Sequence, residues 1–458
     1  MVSQEFQAVV LAAGRGTRLP ELTGDYPKCL LPVGPYPLLW YPLNMLQQHN
    51  FQDAIVIVLE HQKSEIQQAL EKTPLKMKLD FATISEDSDF GTADSLRYIH
   101  DKIKSDFIVI SCDVITNVCL YPLINKFRQH DASVAALLFK SGFENDVVVP
   151  GPKNKHKPER DLIGIHPNCN RLLFLASTSD FEEVMNINGH LMRKYGKMTI
   201  FSRLVDSHIY VMKKWVLDFL KRKENFSTLK GEFLPYIIKK QMSRTQQSAP
   251  IEAQSEVGVN MKPEDDIFHY VPCTDLEQQI IKTSLFNDSR LKEPYQGDLI
   301  RCYAIEAPKE TIGVRVNTTL SYFAMNRKLP SVWPQLFKDK TNTFSLISPT
   351  AIVNSTQAKE IAAADNAKLS EKTSLSSSVF GPNCLINPKN IVTNSVIMAN
   401  AIVEEGCNID GSIICNKAVV KKGSVLKNCL IGPNFIVEEG SKKEKVHLTN
   451  ADGFMEIE

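Results

Sequence analysis

The chain passes through three textures of hydrophobic and polar residues. Up to about residue 240, short apolar runs alternate with stretches whose apolar residues recur at helical spacing. FQAVVLAAG, DAIVIVLE, DFIVISCD and ASVAALLF are apolar runs, while WYPLNMLQQHNF, SEIQQALEK, DSLRYIHDKI and CLYPLINKFRQH fall between them. Apolar strands joined by amphipathic helices predict a parallel sheet covered on both faces. Residues 1–240 are therefore expected to form a doubly wound, Rossmann-like α/β domain, with ligands at the C-terminal ends of its strands. Ser64 is the candidate N-cap of the SEIQQALEK helix.

The second texture, 241–344, opens on a polar run from Gln241 to Asp266, rich in Ser, Gln and Pro. It reads as a linker or flexible insertion. Beyond it, YQGDLIRCYAIEA and GVRVNTTLSYFAMNRKL hold strand and helix fragments under no single period. In the third texture, 345–440, every sixth residue from Val379 is aliphatic: Val379, Leu385, Ile391, Ile397, Val403 and Ile409. After one-residue slips the series continues through Ile414, Val420 and Leu426, then Ile431 and Val437, with glycines in the turns between. A period of six predicts a hexapeptide-repeat left-handed β-helix, its aliphatics packed inside a prism. Antiparallel strands would also need apolar residues at the alternate positions between the anchors, such as 383, 387 and 389, which are Asn383, Asn387 and Lys389. Residues 441–458 read as a charged tail whose SKKEK would blunt the open end of the stack.

Composition narrows the function classes. With 458 residues, 43% hydrophobic and 23% charged, the chain fits about three globular units and excludes wholesale disorder or a fibrous build. Lys+Arg is 53 against Asp+Glu 52, a net charge of +1 that lacks the footprint of a nucleic-acid binder. No apolar stretch approaches the ~18 residues of a membrane span, so no membrane partner is expected. MVSQEFQAVVLAAGRG has no basic n-region, and ten cysteines include no CxxC pair. A reducing cytosol is the expected location.

The candidate chemistry lies in LAAGRGTRLPELTGDYPKCLLPVG, Leu11 to Gly34. Gly14 and Gly16 let backbone N–H groups approach an anion without a Cβ in the way. Thr17 and Arg18 follow, and Lys28 after Pro27 supplies a second cation. The whole stretch resembles the signature of the nucleotide-diphospho-sugar pyrophosphorylases, nucleotidyltransferases that join a sugar phosphate to a nucleoside triphosphate. Two further segments fit that resemblance. Gly91-Thr92-Ala93-Asp94 is similar to the family's segment beside the nucleotide, and Asp113, closing FIVISCD, stands where the family holds a magnesium-binding aspartate.

Departures from the pattern bear on activity. Leu175-Ala176-Ser177 replaces the Glu-Lys-Pro whose acid and cation contact the sugar phosphate. Asp206 takes the place of a sugar-contacting Asn in a segment that otherwise reads Asn-Ala-Gly-Ile-Tyr, and neither Asp206 nor Glu232 sits well as a second metal aspartate. Phosphoryl chemistry depends on placed cations and metal ions, so the site reads as degenerate. Gly14, Gly16, Thr17, Arg18, Lys28, Gly91 and Thr92 are then a vestigial nucleotide site or fossils of one, and Asp113 is either a metal ligand or a turn cap. No cofactor is implied beyond such a vestigial nucleotide or magnesium.

Within the family the details are similar to the pyrophosphorylase-like subunits of translation initiation factor 2B, which exchanges GDP for GTP on initiation factor 2. That resemblance implies a non-catalytic structural or regulatory subunit. Its homologous partner would be the catalytic epsilon subunit, with alpha, beta and delta subunits and initiation factor 2 as further partners. An active sugar-nucleotide pyrophosphorylase is the alternative. An acyltransferase β-helix is disfavoured, because 345–440 holds no histidine to act as base and the nearest is His447. The basic run Lys153, Lys155, His156, Lys157 and Arg160 reads as a solvated loop or a contact for an acidic partner.

Overall fold

The structure, a computed structural model, describes residues 5–24, 26–86, 88–152, 160–180, 187, 189–243, 265–272, 279, 283, 294–337 and 344–449. Its first part is built on a seven-stranded sheet. The strands are β1 (Gln7–Leu11), β2 (Asp53–Leu59), β3 (Lys78–Ile84), β4 (Phe107–Ser111), β5 (Val134–Lys140), β6 (Leu204–Met212) and β7 (Cys302–Glu306), in the spatial order β7-β5-β6-β4-β1-β2-β3. Their side chains are buried on both faces along β1, β2, β4 and β5, which is why these strands read as continuous apolar runs. The helices Trp40–Gln48, Tyr121–Gln129 and Thr319–Leu336 cover one face. Thr92–Tyr98, Lys214–Arg222 and Leu234–Lys240 cover the other, giving the doubly wound arrangement.

Two expectations need correction. The sheet is not wholly parallel, since β6 runs antiparallel to both β4 and β5. A strand buried on both faces has the same apolar pattern in either direction. Direction is set by the connection, which here passes through a small sheet of Leu172–Ser177, Asp161–Ile165 and Thr199–Phe201. The region 241–344 is also not simply a linker. Its later part supplies β7, parallel to β5, and Gly313–Arg315, antiparallel to Val114–Thr116. The helix Thr319–Leu336 follows, opened by Thr318, whose hydroxyl accepts the Ser321 N–H. It contains Pro330 and Pro334, which obscure a helical reading. This helix locks the LPVG stretch: the Asn326 side chain accepts the Gly34 N–H at 3.0 Å, and the Tyr322 hydroxyl donates to the Pro32 carbonyl at 2.8 Å. Gly34, at φ +61°, lies so close to Leu329 that an added Cβ would stand 2.2 Å from its Cδ2.

A buried polar network fastens the later segment to the domain. Arg171 donates to Asp298 and to Gln241, both at 2.9 Å, while Lys194 and Tyr195 also bond to Asp298. The Arg171 guanidinium lies 5.3 Å from the Tyr303 ring, on which His130 stacks. Gln241, expected to open a linker, is thus buried in the core. The central part of that polar run, 244–264, lies outside the described residues.

The second part is the left-handed β-helix, three parallel sheets of six strands each. Val379 pairs with Val396 and Val396 with Ile413, a coil of 17 residues. The interior column is Phe380, Ile386, Val392, Ile397, Val403, Ile409, Ile414, Val420, Leu426, Ile431 and Val437. The column therefore advances by two steps of six and one of five, and the slips seen in sequence are the coil period itself. Before Ile397 the sequence frame was one residue out: Ile391 is 46% exposed while Val392 points inward. At one corner Asn366, Asn383, Asn400, Lys417 and Asn434 recur every 17 residues, each left-handed at φ 56° or 57°, a conformation asparagine tolerates. The stack continues past 440: Lys442–Glu444 and His447–Leu448 are the last strands among the described residues, so SKKEK belongs to a coil, with its charges outward.

The two parts share a core. The sheet carrying Val396, Ile413 and Leu430 turns those outward side chains, with Met398 and Cys415, into the cluster formed by the first domain. A second sheet of the prism turns Leu385, Ile402, Val419 and Ile436 outward in register, with Ile402 36% and Ile436 54% exposed. Among the described residues, no helix is long and apolar enough to cross a membrane.

Candidate functional site

A cleft of about 510 Å³ opens where β1 and β4 end, lined by Leu11 and Ser111 among others. Its front wall is the loop after β1. Gly16, at φ +75°, turns the chain so closely over Thr23 that an added Cβ would lie 2.8 Å from the Thr23 methyl. The Thr23 hydroxyl holds the turn by donating to the Gly16 and Leu19 carbonyls. Gly14 faces open space. Thr17 and Arg18 line the wall, and Arg15 crosses to the Glu86 carbonyl at 2.5 Å.

Gly91 and Thr92 face this loop as the start of the Thr92–Tyr98 helix. Their bonds run mainly to the neighbouring loop. Ala93 N–H donates to the Ser227 carbonyl at 2.8 Å, Leu229 N–H donates to the Thr92 hydroxyl at 2.8 Å, and Asp94 accepts from the Gly91 N–H and the Ser227 hydroxyl. A Cβ on Gly91 would lie 2.2 Å from the Ser227 carbonyl oxygen. Through these bonds the segment positions Lys230 and Gly231, which line the far wall.

The floor is Asp113, buried just after β4. Lys28 Nζ lies 2.6 Å and Arg315 Nη2 3.4 Å from its Oδ2, while Oδ1 is buried with no hydrogen-bond partner. Burial opposes the charge of Asp113, but Lys28 and Arg315 outweigh it and hold the carboxyl well below its usual range. Asn317 lines the cleft two residues beyond Arg315 and offers an amide. Among the described residues no three His, Cys, Asp or Glu side chains converge on a metal position. Asp113 is already shared by two cations, and Asp180, which also lines the cleft, accepts the Ser177 N–H, so these described residues do not fit a resident magnesium ion.

The sugar side departs furthest from the enzyme pattern. Leu175, Ala176 and Ser177 line the cleft and bring no cation. Lys230 reaches it from the other wall but is 2.9 Å from the buried Asp161. His208 stands where the Asn-Ala-Gly-Ile-Tyr reading has glycine, and it keeps a glycine-like φ of +56°. The register of β6 against β5 shifts between Asp206 and Tyr210, and this turns the imidazole into the cleft. Burial first, then Arg315 and Lys230, hold His208 well below 6.5, so the ring is neutral.

All eight sequence-assigned residues, Gly14, Gly16, Thr17, Arg18, Lys28, Gly91, Thr92 and Asp113, line this one cleft. Asp206 and Glu232 do not. Asp206 lies beneath, accepting from the Tyr210 hydroxyl and the His208 N–H, and burial pushes its carboxyl up. Glu232 caps a turn by accepting the Ser227 and Thr228 N–H groups at 2.7 and 2.8 Å. Sequence reasoning missed Lys230, His208, Arg315 and Asn317. His208 carried a signal, an ill-suited residue at a glycine position; Arg315 and Asn317 lay in GVRVNTT, which no period marked. Of the basic run, Lys153, Lys155, His156 and Lys157 lie outside the described residues, and Arg160 is exposed.

Residues 7–146 match the nucleotidyl transferase family, and 356–443 match the GlmU-like C-terminal hexapeptide family. Over 246 residues, 53% of this chain, it is 34% identical to "Translation initiation factor eIF2B subunit gamma" of Schizosaccharomyces pombe. That match spans about half of the relative's length, 53%. The Dictyostelium discoideum protein of the same name is 25% identical, over 84% of this chain and 89% of its own. The S. pombe epsilon subunit of eIF2B is 22% identical over 50% of this chain and 34% of its own. By sequence, then, this chain matches the nucleotidyl transferase family over 7–146 and the GlmU-like hexapeptide family over 356–443, and along most of its length it is similar to the gamma subunit of eIF2B.

Proposed function

We propose that this chain is a non-catalytic subunit of the eIF2B complex, which exchanges GDP for GTP on initiation factor 2 in the cytosol. The observation that carries the reading is Asp113. The carboxylate that a nucleotidyltransferase would give to a metal is spent on Lys28 and Arg315. Leu175-Ala176-Ser177 bring neither the acid nor the cation that the resemblance places there, and the Lys230 that reaches this side is paired with Asp161. What the fold retains is surface. The outward ladder of Leu385, Ile402, Val419 and Ile436 is an apolar strip of the kind that marks association sites.

The epsilon subunit, a homologous chain, is the proposed direct partner, with alpha, beta and delta completing the complex. Homologous domains pair readily about a pseudo-two-fold axis, and a net charge of +1 sets up no long-range repulsion. Two measurements test the reading. Affinity capture of the endogenous chain should bring down the other subunits at fixed stoichiometry, and the purified chain should release no pyrophosphate from any nucleoside triphosphate with a panel of sugar 1-phosphates. Turnover without co-purifying subunits would replace this reading with the pyrophosphorylase one.

A further inference from the structure

Away from the cleft, a thiol and an imidazole meet on one turn. Of the nine described cysteines seven are buried, Cys119 is exposed and Cys169 is half-buried. Cys169 lies in the turn that joins Asp161–Ile165 to its antiparallel neighbour Leu172–Ser177. His166 closes that turn, its N–H donating to the Arg171 carbonyl at 2.9 Å and its carbonyl accepting the Asn170 N–H at 3.1 Å. The chain folds back through Asn170 at φ +58°, and the Cys169 Sγ stands 3.2 Å from His166 Nδ1. The ring is held for this contact. It lies 6.1 Å from the ring of Tyr195, whose hydroxyl is tied to Asp298. The Asn168 N–H points to Nδ1 at 3.4 Å, so in the neutral imidazole that nitrogen carries the lone pair and the thiol is the donor. A nucleophile, a base within hydrogen-bond reach and a third group orienting the base form the arrangement of an activated thiol.

We infer that Cys169 is a base-assisted nucleophile and a site of covalent modification by small disulfides, glutathione disulfide among them. As Sγ attacks one sulfur of the disulfide, its proton passes to His166 Nδ1 and the S–S bond breaks. The leaving thiolate then takes that proton from the imidazolium. One disulfide is exchanged for another, and no further oxidant is needed. The adduct would be felt beyond the turn. The Asn170 carbonyl accepts the Ala304 N–H of β7 at 3.0 Å, and Arg171, bridged to Tyr303, anchors the Asp298 network. A bulky group on Cys169 therefore loosens the seat of β7. The chemistry depends on neither the cleft nor the proposed role in the exchange complex.

Alkylation of the folded full chain with iodoacetamide, read peptide by peptide by mass spectrometry, tests the assistance without any variant. Exposure alone favours Cys119, whereas a base at Cys169 should make that thiol react about tenfold faster than Cys119 near neutral pH. Between about pH 6.5 and 8.5 an ordinary imidazole is free and an ordinary thiol protonated. Across that window the Cys169 rate should hold nearly level, while the Cys119 rate falls about tenfold per unit towards acid. A slower Cys169, or parallel pH profiles, would overturn the inference. His166→Gln should bring Cys169 down to the Cys119 rate or below it, and an unchanged rate would refute the role of the ring. Glutathione disulfide should then modify Cys169 before Cys119 and speed hydrogen exchange in Cys302–Glu306. An adduct formed first on Cys119 would overturn the site, and an adduct on Cys169 without faster exchange would overturn its hold on β7.

Discussion

Glycine at position 208 would let the backbone turn there without steric cost; histidine does so at about 1 kcal/mol and projects a ring into the cleft besides. Gly91 presents the opposite case, where adding one carbon is the damage. Gly91→Ala places a Cβ against the Ser227 backbone carbonyl, which cannot swing aside as a flexible side chain would. The expected loss is about 1–3 kcal/mol in urea unfolding, because backbone must shift to relieve the overlap. Arg18→Ala with Lys28→Ala should instead leave GDP release by the assembled complex within a few-fold of normal; a hundredfold loss without disassembly would make the cleft part of exchange. Acid sensitivity has a single-residue contributor in His130. Burial, then Lys126, Arg171 and Arg301, lower its pKa from 6.5 to about 4. Between those values the unfolded chain binds more protons than the fold, so stability declines as pH falls from about 6.5 to 4. His130→Phe, which can keep the stack on Tyr303, should flatten that decline by roughly 2–3 kcal/mol in denaturation measured across the window.

At the scale of elements, the network around Asp298 joins pieces far apart in sequence. Asp298→Asn would strip Arg171 and Lys194 of their shared anion inside the core, and about 3 kcal/mol of stability should go with it. Nothing in the local sequence marked Asp298, because a buried ion pair depends on partners that no period reveals. Strand identity was legible wherever burial was two-sided, as in FIVISCD; strand direction was not, since the IYVM end of β6 is as apolar as β4 and β5, which run antiparallel to it. The β-helix was legible as a period yet not as a frame. Leu385-Ile386 and Ile391-Val392 each offer two adjacent aliphatics, and a six-residue series runs equally well through the outward member. Ser64 proved no cap: the helix begins one residue earlier, at Lys63. The cleft was legible where residue types are chemically committed, in Gly16 and Lys28. It stayed hidden where Arg315 and Asn317 arrive from 200 residues away.

For the whole molecule, the shared core makes the two parts one thermodynamic body. Val396, Ile413 and Leu430 pack into the first domain while their neighbours Ile397, Ile414 and Ile431 fill the prism. A single endotherm is expected in scanning calorimetry, and two well-separated transitions would contradict the coupling. Removing 369–458 should abolish the proposed pairing with the epsilon subunit, and it should also uncover apolar surface on the α/β domain; a truncated chain that co-purifies with epsilon at full yield would refute the first part. The same coupling bears on synthesis. A ribosome making this chain releases β1 through β6 long before β7 and the Thr319–Leu336 helix, and the coils that finish the packing emerge later still. For most of translation the nascent sheet therefore has an unfilled edge beside β5 and an uncovered face near Gly34. A chaperone that shelters such surfaces during elongation, or a pause that lets the last coils arrive, would govern yield more than any contact in the finished cleft.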